Sequence, residues 1–244
     1  MRNFGLIGYP LSHSFSKKYF GDKFRREHIT DCAYELYPLS SLEDFRELLS
    51  GVPGMEGLNV TIPYKQKIIA LIDELDHAAR AIGAVNTLLF RAGRITGYNT
   101  DVVGFERSLV PLLKSHHTAA LVLGTGGASK AVAFALRRLG IPFHFVSRQK
   151  RDPGHFTYQD LDESIVKSTS LIINTTPVGT SPNVDQAPSI PYEFIGPGHL
   201  LYDLVYNPAE TLFLKRGGAR GAATKNGYEM LELQADASWE IWNR

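Results

Sequence analysis

The chain has 244 residues, enough for one large domain or two small ones. Its hydrophobic content of 43% and charged content of 21% are those of an ordinary globular protein, and 26 basic against 25 acidic residues leave a net charge of +1. That balance excludes nucleic acid and anionic membrane as expected partners, because both call for a concentrated basic surface. Cys32 is the single cysteine, so no intramolecular disulfide can form and a reducing, cytoplasmic setting is expected.

In chain order, an apolar run Phe4–Gly8 is followed by the polar loop Ser12–Ser16 and a predicted helix Lys17–Glu27. Ala33–Tyr37 reads as a strand, Ser41–Leu49 as a helix capped by Ser40 or Ser41, and Gly57–Ile62 as a strand. A helix containing Lys65 is expected after Pro63, then a helix Asp76–Ile82, then strands Val85–Phe90 and Arg94–Tyr98 joined by Ala92-Gly93. The rhythm restarts near residue 102 with a helix Phe105–Leu113 and a continuously apolar strand Ala119–Leu123. Helix Lys130–Leu139, strand Phe143–Val146, helix Leu161–Lys167 and strand Leu171–Asn174 follow. Strand Leu200–Val205, helix Leu212–Arg216, strand Gly221–Ala223 and a long helix Tyr228–Trp242 complete the chain. Strand–helix alternation predicts an α/β fold, and its restart near residue 102 predicts a second domain.

The segment Leu121-Val122-Leu123-Gly124-Thr125-Gly126-Gly127-Ala128-Ser129 puts glycines where a buried strand turns into a helix. Such a turn lets backbone N–H groups approach a pyrophosphate at a helix N-terminus, and marks a dinucleotide-binding domain. At the end of the next strand an NAD site would place a carboxylate for the ribose 2′-hydroxyl. This chain has Ser147-Arg148-Gln149-Lys150-Arg151 instead, and a guanidinium binds a 2′-phosphate through paired donors, which favours NADP.

Three polar groupings stand at strand ends in the first hundred residues. Ser12-His13-Ser14-Phe15-Ser16 offers hydroxyls suited either to a carboxylate ligand or to capping a helix. In Asn59-Val60-Thr61-Ile62-Pro63-Tyr64-Lys65 the alternation turns Asn59 and Thr61 the same way. Lys65 is placed near a helix start, against the helix dipole, and a residue that breaks a local rule is a functional candidate. In Gly97-Tyr98-Asn99-Thr100-Asp101, Asp101 suits both an N-cap and a partner that orients a lysine. His13, His77, His116 and His117 lack metal-ligand spacing, so no metal is expected.

Taken with Gly83-Ala84-Val85-Asn86-Thr87, Asn174-Thr175-Thr176-Pro177-Val178-Gly179, Asp203-Leu204-Val205-Tyr206-Asn207-Pro208 and Gly227–Ala235, these motifs resemble the shikimate dehydrogenase family over essentially the whole chain. The resemblance implies an N-terminal α/β substrate domain, 1–101 together with 225–244, a Rossmann-like NADP-binding domain, 102–224, and a last helix packing back on the first. It implies reversible NADPH-dependent reduction of 3-dehydroshikimate to shikimate, in a monomer or homodimer. Lys65 and Asp101 would form the catalytic pair, and Ser14, Ser16, Asn59, Thr61, Asn86, Tyr206 and Gln234 would hold the substrate. Gly124, Thr125, Gly126, Gly127, Ala128, Ser147, Arg148, Arg151, Thr175, Leu204 and Gly227 would hold the cofactor. The chain departs from the family where Lys17 replaces a common proline, where His77 replaces an acidic residue, and where Asp152 stands at a second phosphate-binding arginine. Arg151 or Lys150 is left to supply that cation. Quinate/shikimate dehydrogenases of relaxed cofactor use, a folate-linked NADP dehydrogenase and a non-catalytic NADP-sensing protein are the alternatives.

Overall fold

The computed structural model describes residues 1–11, 14–149 and 154–244. The chain divides into two compact units, residues 1–104 with 232–244, and residues 105–231. The division therefore falls three residues after the expected 101/102, and the returning segment starts at 232 instead of 225.

In the first unit, β1 (Arg2–Gly8), β2 (Cys32–Pro38) and β3 (Met55–Val60) are parallel neighbours. β5 (Thr87–Arg91) then pairs antiparallel with β3 and with β6 (Arg94–Tyr98), while the two-residue β4 (Glu74–Leu75) edges the sheet. The order is β2-β1-β3-β5-β6-β4. Helices α1 (Phe15–Arg26), α2 (Phe45–Gly51) and α3 (His77–Ile82) connect these strands. Asp76 caps α3, its carboxylate accepting from the Ala78 and Ala79 N–H groups.

Lys65 does not lie in an α-helix. It sits in a turn ahead of a single 3-10 stretch, Lys67–Leu71. Its carbonyl accepts the Val85 N–H at 2.7 Å, so it is spent on the approach to β5 and unavailable to a helical ladder. The helix-dipole argument for Lys65 therefore falls, and its case rests on what its side chain meets.

Helix α4 (Asp101–Leu109) starts four residues earlier than expected, with Asp101 as its first residue. The second sheet follows: β7 (Ala120–Leu123), β8 (Phe143–Ser147), β9 (Phe156–Thr157), β10 (Leu171–Asn174), β11 (Leu200–Asp203) and β12 (Ala223–Lys225), with α5 (Gly127–Arg138), α6 (Glu163–Ser168) and α7 (Leu212–Gly218) between them. Every pairing is parallel, in the order β12-β11-β10-β7-β8-β9. That is the doubly wound order with β7 as the first strand, and it places ligands at the carboxyl ends of β7 and β10. Ala120–Leu123 and Leu171–Ile173 are fully buried, which is why they read as unbroken apolar runs.

The terminal helix α8 (Tyr228–Trp242) carries its last eleven residues in the first unit. There Ala235, Ile241 and Trp242 pack with Phe4, Phe20, Phe24 and Tyr34, and the Trp242 ring stacks on Phe4 at 4.8 Å. The indole N–H donates to the Leu88 carbonyl at 2.9 Å, tying the helix to β5. No helix among the described residues is long and apolar enough to cross a membrane.

Candidate active site

The catalytic candidates meet at the carboxyl end of the first sheet. Lys65 Nζ lies 2.6 Å from Asp101 Oδ2, with the lysine side chain 27% exposed and the aspartate 14%, so both remain reachable by a ligand. The other carboxylate oxygen accepts from Asn86 Nδ2 at 2.9 Å. Asn86 is itself locked, because its Oδ1 accepts the Thr100 N–H at 2.7 Å and that fixes which end of the amide faces Asp101. Gln234, brought in by α8, accepts at 3.4 Å from both Asn86 Nδ2 and Thr100 Oγ1. Asp101 thus has one oxygen for structure and one for the lysine, and an ammonium carries three donors of which one goes there.

Asn59 does something different from what its position suggests. The Tyr34 hydroxyl donates to its Oδ1 at 2.8 Å, and its Nδ2 donates to Ser238 Oγ at 3.0 Å, Thr87 Oγ1 at 3.2 Å and the Asn86 carbonyl at 3.3 Å. A 5% exposed amide with every polar atom committed has nothing left for a ligand, so Asn59 braces the site from beneath. Thr61 directly follows β3, held by its N–H to the Ile7 carbonyl at 2.9 Å. Ser14 occupies the N-cap position of α1, yet its side chain caps nothing; among the described residues its buried hydroxyl oxygen has no hydrogen-bond partner. A buried hydroxyl of that kind is costly unless something supplies the missing bond, which favours a ligand role over capping. Ser16 follows in the first turn of the same helix. Tyr206 lies in the second unit just past β11, 38% exposed.

In the second unit a cavity of about 1270 Å³ is lined by Gly124, Thr125, Gly126, Ser147, Arg148 and Thr175, six of the expected cofactor residues. Gly127 opens α5, with Ala128 behind it, and the N-cap Gly126 brings no side chain to the first-turn N–H groups. Gly124 has φ +103°, and a Cβ there would stand 2.9 Å from Thr175 Oγ1 and Thr176 Cγ2, so only glycine fits the turn. At Gly126 and Gly127 a Cβ would meet nothing within 4 Å, so the space in front of the helix start is open. Uncapped donors, a helix N-terminus and Arg148 at the next strand's end fit a dinucleotide carrying phosphates. Leu204 and Gly227 do not line this cavity; a Cβ at Gly227 would meet the Leu204 carbonyl oxygen at 2.1 Å, so the two residues serve each other's packing. Arg151, like Ser12, His13, Lys150 and Asp152, lies outside the described residues.

Two lining residues carry no signal in the sequence. Tyr158, from the turn after β9, has its phenol pushed up by burial, with Arg148 pulling the other way. Arg216 on α7 reaches the cavity with its guanidinium 5.2 Å from the Tyr192 ring. Both arrive from elements remote in sequence, and nothing local in the chain marks them.

A doubly wound parallel sheet with an open glycine turn, together with a separate α/β unit bearing a lysine–carboxylate pair, defines a nucleotide-dependent oxidoreductase. The family model for the shikimate dehydrogenase substrate binding domain matches residues 6–88. The chain is 39% identical over 263 residues to the Halothermothrix orenii protein named shikimate dehydrogenase (NADP(+)), covering 98% of this chain and 89% of that one. It superposes with TM-score 0.86 and 31% identity on the Thermus thermophilus shikimate 5-dehydrogenase solved with NADP(H) and shikimate, covering 99% and 93% of the two chains. A quinate dehydrogenase from Corynebacterium glutamicum, solved with NAD, is similar at TM-score 0.87 and 27% identity, over 99% and 93%. The chain belongs to the shikimate dehydrogenase family.

Proposed function

We propose that the protein is an NADP-dependent shikimate dehydrogenase, catalysing the reversible reduction of 3-dehydroshikimate to shikimate. The observation that carries this reading is the Lys65–Asp101 contact of 2.6 Å, with Asp101 pinned from behind by Asn86. The first unit takes the substrate and the second the cofactor. Ser14 and Ser16 receive the substrate carboxylate, while Thr61, Asn86, Asp101 and Gln234 face its ring and hydroxyls. NADPH supplies the hydride when bound, held by the Gly124–Ala128 turn, Ser147, Arg148 and Thr175.

The protein's own part in the chemistry is a proton. As the carbonyl becomes an alcohol, negative charge grows on its oxygen, and the Lys65 ammonium donates a proton to that oxygen, becoming a neutral amine. In the oxidative direction the amine takes the proton back. Asp101 keeps the lysine aimed, while its own second oxygen stays on Asn86. The Cys32 thiol, pushed up to about 11 chiefly by burial, stays protonated at neutral pH and takes no part. A cytoplasmic setting fits the single, partly buried cysteine.

Initial rates with shikimate or quinate, each with NADP or NAD, test the reading. Shikimate with NADP is expected to be the fastest pair by a wide margin. Equal rates with quinate would reassign the chain to a broad quinate/shikimate enzyme, a reading the quinate dehydrogenase likeness keeps in view. No turnover of either acid would remove the enzyme claim. Arg148→Ala is expected to raise KM for NADP at least about tenfold and leave KM for NAD nearly unchanged, since only the 2′-phosphate needs the guanidinium. Parallel losses would mean that Arg148 does not read that phosphate.

A further inference from the structure

We infer that Asp203 is a positioning residue for the cofactor: through Asn174 it fixes the Asn174–Val178 segment that walls the glycine turn. This rests on the dinucleotide reading of the cavity.

Asp203 and Asn174 end adjacent parallel strands, β11 and β10, and stand opposite one another in register. Both are wholly buried. The carboxylate collects three donors: Asn174 Nδ2 at 2.9 Å and the Val205 N–H at 3.0 Å on Oδ1, and the Thr211 hydroxyl at 2.6 Å on Oδ2. All three are neutral. Burial pushes the acid up to about 6 in spite of them, so its charged form is costly where it stands. A costly buried acid held only by neutral donors calls for a reason other than stability.

The reason lies in polarity. A carboxylate only accepts, so Asn174 must present its NH₂ to Asp203 and turn its oxygen the other way. That oxygen accepts the Thr176 N–H at 3.0 Å and the Thr176 hydroxyl at 2.6 Å. The Thr176 oxygen then accepts the Val178 N–H at 3.3 Å, and the Asn174 NH₂ reaches the Val178 carbonyl at 3.5 Å. One amide orientation sets the side-chain bonds across the Asn174–Val178 segment, and the reversed amide would set its NH₂ against the Thr176 N–H. Those residues are the cavity's wall: Thr175, Thr176, Pro177 and Val178 line it, and Thr175 and Thr176 are the atoms a Cβ at Gly124 would strike. An apolar residue could fill the space at 203, but it would leave the Asn174 amide free to turn over and the wall unset.

The test uses the full-length protein and direct titration of NADP without shikimate, with KM for shikimate measured separately. Asp203→Ala is expected to raise Kd for NADP at least about tenfold, with KM for shikimate changed less than about twofold. Asp203→Asn restores binding, because its oxygen can face Asn174 and Val205 while its NH₂ donates to the Thr211 hydroxyl. Thr176→Val keeps the buried acid and cuts the last link, so it is expected to weaken NADP as Asp203→Ala does, and it decides the matter if Asp203→Ala does not fold. NADP affinity unchanged in Thr176→Val, shikimate and NADP constants falling together in Asp203→Ala, or Asp203→Asn as weak as Asp203→Ala would each overturn the inference. Wild-type protein that does not bind NADP would instead overturn the cofactor reading, and this inference with it.

Discussion

Lys65→Ala is expected to lower kcat at least about a hundredfold, the low end for loss of a positioned general acid, with a much smaller change in KM. The asymmetry follows from where the lysine acts. The charge on the substrate oxygen develops only as hydride arrives, so the donated proton stabilises the transition state far more than the bound substrate. The substitution also leaves Asp101 without its cation, but the carboxylate keeps Asn86 at 2.9 Å and remains 14% exposed, so the site need not rearrange. Steady-state rates in the shikimate-oxidising direction, beside a melting curve to show that the variant is folded, make the measurement. A loss carried mainly by KM would make Lys65 a binding group and leave the proton donor to be found elsewhere. Asp101→Asn sharpens the point: its oxygen facing Lys65 would turn an NH₂ toward Asn86 Nδ2, donor against donor, so the pair cannot be mimicked by a neutral amide.

The cofactor half was more legible in the sequence than the substrate half, for a physical reason. β7, the glycine turn and α5 are consecutive, so apolar burial, turn and helix start all stand within about twenty residues. Even so, α5 starts at Gly127 and not Lys130, because apolar periodicity is silent over the glycines that open it. The substrate half is assembled from distant pieces. Asn59 meets Tyr34 from 25 residues away, Thr87 from 28 and Ser238 from 179, and no local pattern reveals that these partners exhaust its amide. Alternation cannot tell that Asn59 is sealed or that Thr61 lies beyond the strand's end. Lys65 shows the same limit: the long-range bond from Val85 to its carbonyl removed the expected helix. The two-residue strands β4 and β9 are too short to have a period at all.

A second large effect is expected in the pH dependence of stability, and it comes from Asp203. Its folded-state pKa of about 6 lies above the ordinary 3.8, so the folded protein holds a proton that the unfolded chain has released. Its contribution to stability is therefore fully present below about pH 4 and is lost as pH rises through 6. The span of about two units corresponds to roughly 3 kcal/mol, an upper figure for a group with three hydrogen bonds. Asp203→Asn carries no titrating proton, so the stability of wild type relative to this variant should fall by up to about 2 kcal/mol between pH 4.5 and pH 8, the rest of the span lying below pH 4.5. Urea unfolding of both proteins at several pH values gives the difference directly, with all other titrating groups cancelling. A difference that stays constant with pH would mean the carboxylate is not desolvated as its surroundings indicate. The opposite slope, wild type gaining on the variant as pH rises, would mean the three donors outweigh burial. The expected sign matters for function as well. At the pH where a dehydrogenase works, Asp203 is ionised and least favourable to the fold, and as a carboxylate it only accepts, which sets the Asn174 oxygen toward Thr176 and the glycine turn.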